Sequence, residues 1–133
     1  MEFHVEAGPK TRRYIESLLP SMMAQLGLTR KRPLLMIKVD RELEEQGTTI
    51  PLLGLDTYLV VLKPTRDILN LGITLAHELT HVAQFANGTL KVLPKGKKWK
   101  GKFYPTNHPY LDQPWELQAF AKQEIIFRRS IEL

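Results

Sequence analysis

Apolar positions along the chain recur at two periods. From Pro9 to Leu26, the residues Tyr14, Ile15, Leu18, Leu19, Met22, Met23 and Leu26 return every three or four positions. That spacing predicts a helix, with Pro9 suited to its first turn and Gly27 to its end. Pro20 falls inside the pattern and predicts a kink or a split. Pro33 to Val39, Thr48 to Leu55 and Thr57 to Leu62 are short apolar and β-branched runs that predict three strands, with Gly54 and Asp56 near the turn between the last two. Tyr58 to Leu62 is apolar enough for a central strand covered on both faces. Helical spacing returns from Arg66 to Asn87, behind Pro64-Thr65 and ahead of the left-handed stop at Asn87-Gly88. Thr89 to Tyr104 is rich in lysine and glycine and predicts a hairpin or irregular excursion. After a loop from Pro105 to Gln113, Pro114 opens a last helix through Trp115, Leu117, Phe120, Ala121, Ile125 and Phe127. The expected fold is α+β: an N-terminal helix, a small three-stranded sheet, a long helix, a basic hairpin or loop and a C-terminal helix.

Composition narrows the picture. The 133 residues fit a single domain spanning 1–133, and 43% hydrophobic positions suffice for one core. No run approaches the ~18 apolar residues of a membrane span, and Met1 to Glu6 lacks the basic and apolar regions of a secretory signal. A cytoplasmic protein without a membrane partner is expected. The chain has no cysteine, so a metal must be held by His, Asp or Glu. Nineteen Lys and Arg against fourteen Asp and Glu leave a net charge of +5. Lys91, Lys95, Lys97, Lys98, Lys100 and Lys102 form an acid-free basic stretch, with smaller clusters at Arg30-Lys31-Arg32 and Arg128-Arg129. The Lys91 to Lys102 patch is either a solvated loop or an attractor for nucleic acid or an acidic protein surface.

The chemistry concentrates in Leu75-Ala76-His77-Glu78-Leu79-Thr80-His81-Val82. His77 and His81 are one turn apart on the predicted helix, about 40° in rotation, so two imidazoles can reach one ion. Glu78 is rotated away from the pair, which suits a general base better than a ligand. On a helical wheel Asn70, Thr74, His77, Glu78, His81 and Gln84 fill one stripe about 120° wide, and the remainder is almost entirely apolar. A helix buried on most sides must satisfy that stripe with metal, water or hydrogen bonds, since buried polar groups without partners cost several kcal/mol. The alternative is a pair of core histidines bonded to backbone or loop groups.

A catalytic zinc has three protein ligands and an open position. The metzincin pattern is excluded, because Gln84 and Asn87 stand where its Gly and third His would be. His108, Asp112, Glu116 and Glu124 remain as third-ligand candidates. Glu116 is best placed, in the first turn of the last helix, with small Ala119 one turn on to let the two helices approach. Asp112 suits a helix cap, and Glu124 needs a different crossing. Tyr104, His108 and Tyr110 are the available oxyanion donors, with aromatic packing as their alternative role. Asn70, Thr74, Gln84 or Asp112 can support the histidines; His4 receives no role.

His77-Glu78-Leu79-Thr80-His81, followed after the basic excursion by Pro114-Trp115-Glu116-Leu117-Gln118-Ala119, resembles the Glu-zincins. Their second signature is a glutamate three residues before a small residue. The short chain is similar to minimal bacterial and phage metallopeptidases of the SprT-like and ImmA-like groups, although no cysteine-rich zinc ribbon is present. The resemblance spans about Leu71 to Lys122 and implies a zincin-like fold. It also implies a zinc ion held by His77, His81 and Glu116, peptide-bond hydrolysis with Glu78 as base, and a protein or peptide substrate laid along a sheet edge. A metal-binding but non-catalytic domain that binds DNA or a protein through Lys91 to Lys102 is the other expectation.

Overall fold

A computed structural model describes residues 2–29, 34–52 and 54–132. Arg30, Lys31, Arg32, Pro33 and Leu53, all within features anticipated above, lie outside the described residues. The chain runs β1 (Glu2–Glu6), α1 (Pro9–Gln25), β2 (Leu34–Val39), β3 (Gly47–Leu52), β4 (Thr57–Leu62), α2 (Ile68–Ala86), β5 (Leu90–Leu93), β6 (Gly96–Trp99), β7 (Lys102–Pro105) and α3 (Pro114–Ile131), with a 3-10 turn at Tyr110–Asp112. The class is α+β. No helix among the described residues is long and apolar enough to cross a membrane.

The first sheet has four strands rather than three, in the order β1-β2-β4-β3. β1 pairs parallel with β2, β2 parallel with β4, and β3 antiparallel with β4. β1, α1 and β2 thus make a parallel crossover unit, so helices and strands alternate at the N-terminus instead of being segregated. Only Phe3 and Val5 stand between Glu2, His4 and Glu6, a period-2 signal too short to read alone; pairing with Leu35 and Ile37 secures it. As expected, β4 is interior to the sheet, with Tyr58, Val60, Val61 and Leu62 buried. β3 is an edge, which is why Pro51 is tolerated there.

Helix α1 is continuous through Pro20, which is exposed, and buries Ile15, Leu18, Leu19, Met22 and Met23 against the sheet and α2. The anticipated split does not occur. Helix α2 opens at Asp67, whose carboxylate accepts from the Asn70 backbone N–H at 3.1 Å, and closes at Asn87 and Gly88. Twelve of its residues are buried. Gly72 lets α3 approach: a Cβ there would stand 2.1 Å from the Phe127 ring. Ile126 and Phe127 join the main core, while Leu90, Trp99 and Trp115 form a second cluster with Phe85 and Tyr104. That cluster seats a second antiparallel sheet, β5-β6-β7, on the first turn of α3. The lysine-rich excursion is therefore two successive hairpins, the second turned at Lys100-Gly101.

Candidate metal centre

Two adjacent turns of α2 and the first turn of α3 meet at one carboxylate oxygen. Glu116 Oε1 lies 2.8 Å from His77 Nε2 and 3.0 Å from His81 Nε2. One ligand atom from each of the three residues falls within 4.8 Å of the others. The approach that Ala119 was expected to permit is present, and Ala119 is fully buried. The imidazoles meet edge-on with centroids 4.9 Å apart, and Phe120 packs on His77 at 4.7 Å. This cluster forms the floor of a cleft of about 480 Å³ walled by β3, α2, α3 and Lys97 of β6.

The far side of each ring is tied down by an amide. His81 Nδ1 meets Gln84 Oε1 at 2.8 Å, and Gln84 Nε2 donates to the Trp115 carbonyl at 3.0 Å and to Gln118 Oε1 at 2.9 Å. Because a backbone carbonyl can only accept, Gln84 must aim its oxygen at His81, so Nδ1 carries the hydrogen. His77 Nδ1 likewise meets Gln123 Oε1 at 2.9 Å. In the neutral tautomer each Nε2 then presents a lone pair to a carboxylate oxygen. Such contacts require a shared proton or a cation between them. The donor set, two imidazole nitrogens and one carboxylate, fits a divalent transition metal.

The charges follow the same geometry. Burial works against ionisation of Glu116, but hydrogen bonds from His77 and His81 and their positive charge outweigh it and hold the carboxyl at about 2. Burial also disfavours the charged form of His81, yet Glu116, Gln84 and Glu78 raise its pKa above the ordinary value. Glu78, 5% exposed, is pushed up by desolvation, against the opposing pull of His81, the Thr49 hydrogen bond and His77. Thr49 Oγ1 lies 2.8 Å from Glu78 Oε1 and 3.0 Å from the Glu78 carbonyl. This contact depends on Gly47, where a Cβ would come within 3.0 Å of Glu78 Cγ and 2.9 Å of Thr74 Cγ2. A side chain at position 47 would push β3 away from the helix.

Of the anticipated oxyanion donors, Tyr110 alone lines the cleft. Its hydroxyl donates to Glu116 Oε1 at 3.2 Å, and burial, then Glu116, push its pKa up to about 12. Tyr104 and His108 pack edge-on at 5.0 Å, Tyr104 also meets Trp115, and His108 Nε2 lies 3.3 Å from the Asp112 carbonyl. Neither lines the cleft. Asp112 does not cap α3; Gln113 holds the N-cap position without a side-chain bond. Glu124 is exposed and away from the cluster. Among the proposed supporting residues Gln84 reaches a histidine, whereas Asn70 Nδ2 bonds Gln46 Oε1 at 2.8 Å and Thr74 lies against β3. Two contributors were missed. Gln123 is seven residues after Glu116, the same face of α3 two turns on, so its position was legible. Thr49 has no local signal, because it reaches Glu78 only through the placement of the β3 edge. No family model, curated protein or solved structure matches this chain.

Proposed function

We propose that the protein is a zinc-dependent peptidase of the Glu-zincin type, close to the minimal SprT-like and ImmA-like forms. The observation behind this reading is the convergence of His77 Nε2, His81 Nε2 and Glu116 Oε1, with both Nδ1 atoms held by glutamine oxygens. His77, His81 and Glu116 would hold the ion. When bound, zinc supplies Lewis acidity toward the scissile carbonyl and toward the attacking water.

The remaining chemistry belongs to the chain. Glu78 is the general base: its raised pKa brings it closer to neutrality than an ordinary carboxylate, and Thr49 fixes one of its oxygens. It takes the proton of the attacking water and delivers it to the leaving amine. Tyr110 stays protonated at neutral pH and can donate a hydrogen bond to the developing oxyanion. The substrate backbone aligns beside β3, an edge strand whose Gly47, Thr48 and Thr49 line the cleft.

Casein or a peptide mixture serves as substrate, with metal content measured in parallel. Glu78→Gln keeps its zinc and loses hydrolysis, and His81→Ala loses both. Wild-type zinc-loaded protein that cleaves nothing, or a Glu78→Gln variant as active as wild type, defeats the proposal. The second reading, a non-catalytic domain that binds DNA or a protein, draws on the exposed Lys91, Lys95, Lys98, Lys100 and Lys102 of the second sheet. It is separated by a DNA gel shift at several salt concentrations, since phosphate contacts give a steep salt slope.

A further inference from the structure

Lys97 is placed differently from its neighbouring lysines. On β6 it shares a face with Trp99, two residues on, and pairs in register with Val92 and Tyr104. That face turns toward the cluster of Leu90, Trp99 and Trp115. Lys98, by contrast, pairs with Lys91 and Phe103 on the outer face, and all three are exposed. Lys97 is half-buried and lines the cleft that contains the histidines. Its ammonium stands 5.2 Å from the centre of the Trp115 ring, the residue immediately before Glu116. No carboxylate partners Lys97 among the described residues; the indole face is its described contact.

A cation held beside a reaction centre by a buried ring is pre-positioned for an anion that the protein does not supply. The cleft limits what that anion can be. Glu45, Glu78 and Glu116 also line it, so a phosphodiester chain would bring repeated negative charge against three carboxylates. A peptide brings a neutral backbone and a single carboxylate. The cleft, about 480 Å³, has room for a few residues of such a chain.

Resting on the peptidase reading, we infer that Lys97 binds a substrate carboxylate and makes the enzyme selective for peptides with an acidic group at one fixed distance from the cut. The carboxylate is either an Asp or Glu side chain or the peptide's own C-terminus. The zinc-loaded protein is incubated with a proteome-derived peptide library, and cut sites are mapped by mass spectrometry for wild type, Lys97→Glu, Lys97→Arg and Lys91→Glu. Wild type and Lys97→Arg enrich acidic residues, or the terminal carboxylate, at a single subsite by about five- to tenfold. Lys97→Glu shifts that subsite to Lys and Arg. Lys91→Glu changes the net charge equally, but on the outer face, and keeps the wild-type map. Enrichment at internal Asp and Glu identifies a side chain, whereas enrichment only at the last residue identifies the C-terminus. Cleavage with no acidic preference, or a preference that survives Lys97→Glu, overturns the inference and leaves the peptidase reading intact. Inhibition by an oligonucleotide that is lost in Lys97→Glu overturns it in favour of phosphate. A complete absence of cleavage overturns both.

Discussion

Replacing Glu116 by glutamine changes one oxygen to an amide at the point where α2 and α3 meet. In the metal-free protein that carboxylate oxygen lies 2.8 Å from His77 Nε2 and 3.0 Å from His81 Nε2 and accepts from the Tyr110 hydroxyl at 3.2 Å, with a side chain only 13% exposed. Its pKa of about 2 against an ordinary 4.5 corresponds to on the order of 3 kcal/mol. Because the folded pKa is depressed, this stabilisation is present above pH 4.5 and is lost as pH falls toward 2. His81 has the opposite sign: its folded pKa is raised, so its contribution is full below 6.5 and fades as pH rises through the folded value. The joint contribution of Glu116 and His81 is therefore greatest between about pH 4.5 and 6.5, while buried Glu78, whose pKa is raised, costs stability as it ionises; Glu116→Gln should remove the gain above pH 4.5. Metal binding supplies the second arm. At a hundredfold excess over Kd, zinc adds about 2.7 kcal/mol, which raises the melting temperature of a chain this size by roughly 10 °C. Losing a ligand weakens affinity by more than the ten- to hundredfold typical of an outer-shell change, so the variant should gain at most about 2 °C. Calorimetry with and without zinc, at several pH values, measures both arms. A Glu116→Gln protein with the wild-type zinc increment and an unchanged pH profile would refute the assignment of Glu116.

Gln123→Leu removes the acceptor at His77 Nδ1 and should weaken zinc affinity ten- to hundredfold, read by chelator competition, while Glu78 and Thr49 remain in place. Thr49→Val removes the hydrogen bond that favours ionised Glu78; the acid limb of the kcat/KM profile should move to higher pH, with zinc content unchanged. Gly72→Ala places a methyl group 2.1 Å from the Phe127 ring, so α3 must shift; unfolding by urea should show a loss of about 1–3 kcal/mol.

The elements that declared themselves in the sequence have a long apolar period. α2 was legible because its buried residues repeat over five turns, and the position of His77 and His81 on one side follows from the helix alone. Glu116 was legible because Pro114 marks the helix start and Ala119 allows a close crossing. The sheet was less so. β1 depends on two apolar residues and a register with β2 that only the folded chain supplies. The lysine run read as one basic patch, yet strand alternation divides it, turning Lys97 inward and Lys91 and Lys98 outward. Asp112 misled because acidic residues before a proline-led helix usually cap it, whereas the 3-10 turn hands that position to Gln113.

The polar groups buried on α2 differ in how they are satisfied. Thr80 returns its hydroxyl to the Ala76 carbonyl, and Gln84 finds acceptors in Trp115 and Gln118. The first bond closes within α2 and the other two tie α2 to α3. Glu78 accepts from Thr49 and still holds a buried carboxylate whose charge is unfavourable there. Retaining such a group costs stability, and leucine in its place would pack at no comparable penalty. The two histidines spend their Nδ1 hydrogens on glutamines, leaving two lone pairs and a carboxylate oxygen directed at one another. With both rings neutral in that tautomer, the Tyr110 hydroxyl supplies the carboxylate oxygen but the two Nε2 atoms face it without a hydrogen between them. A proton shared among them satisfies the arrangement, and Glu116 raises the pKa of His81 in spite of its burial. A divalent cation would satisfy all three atoms at once, and in the proposed function Glu78 is the base beside it.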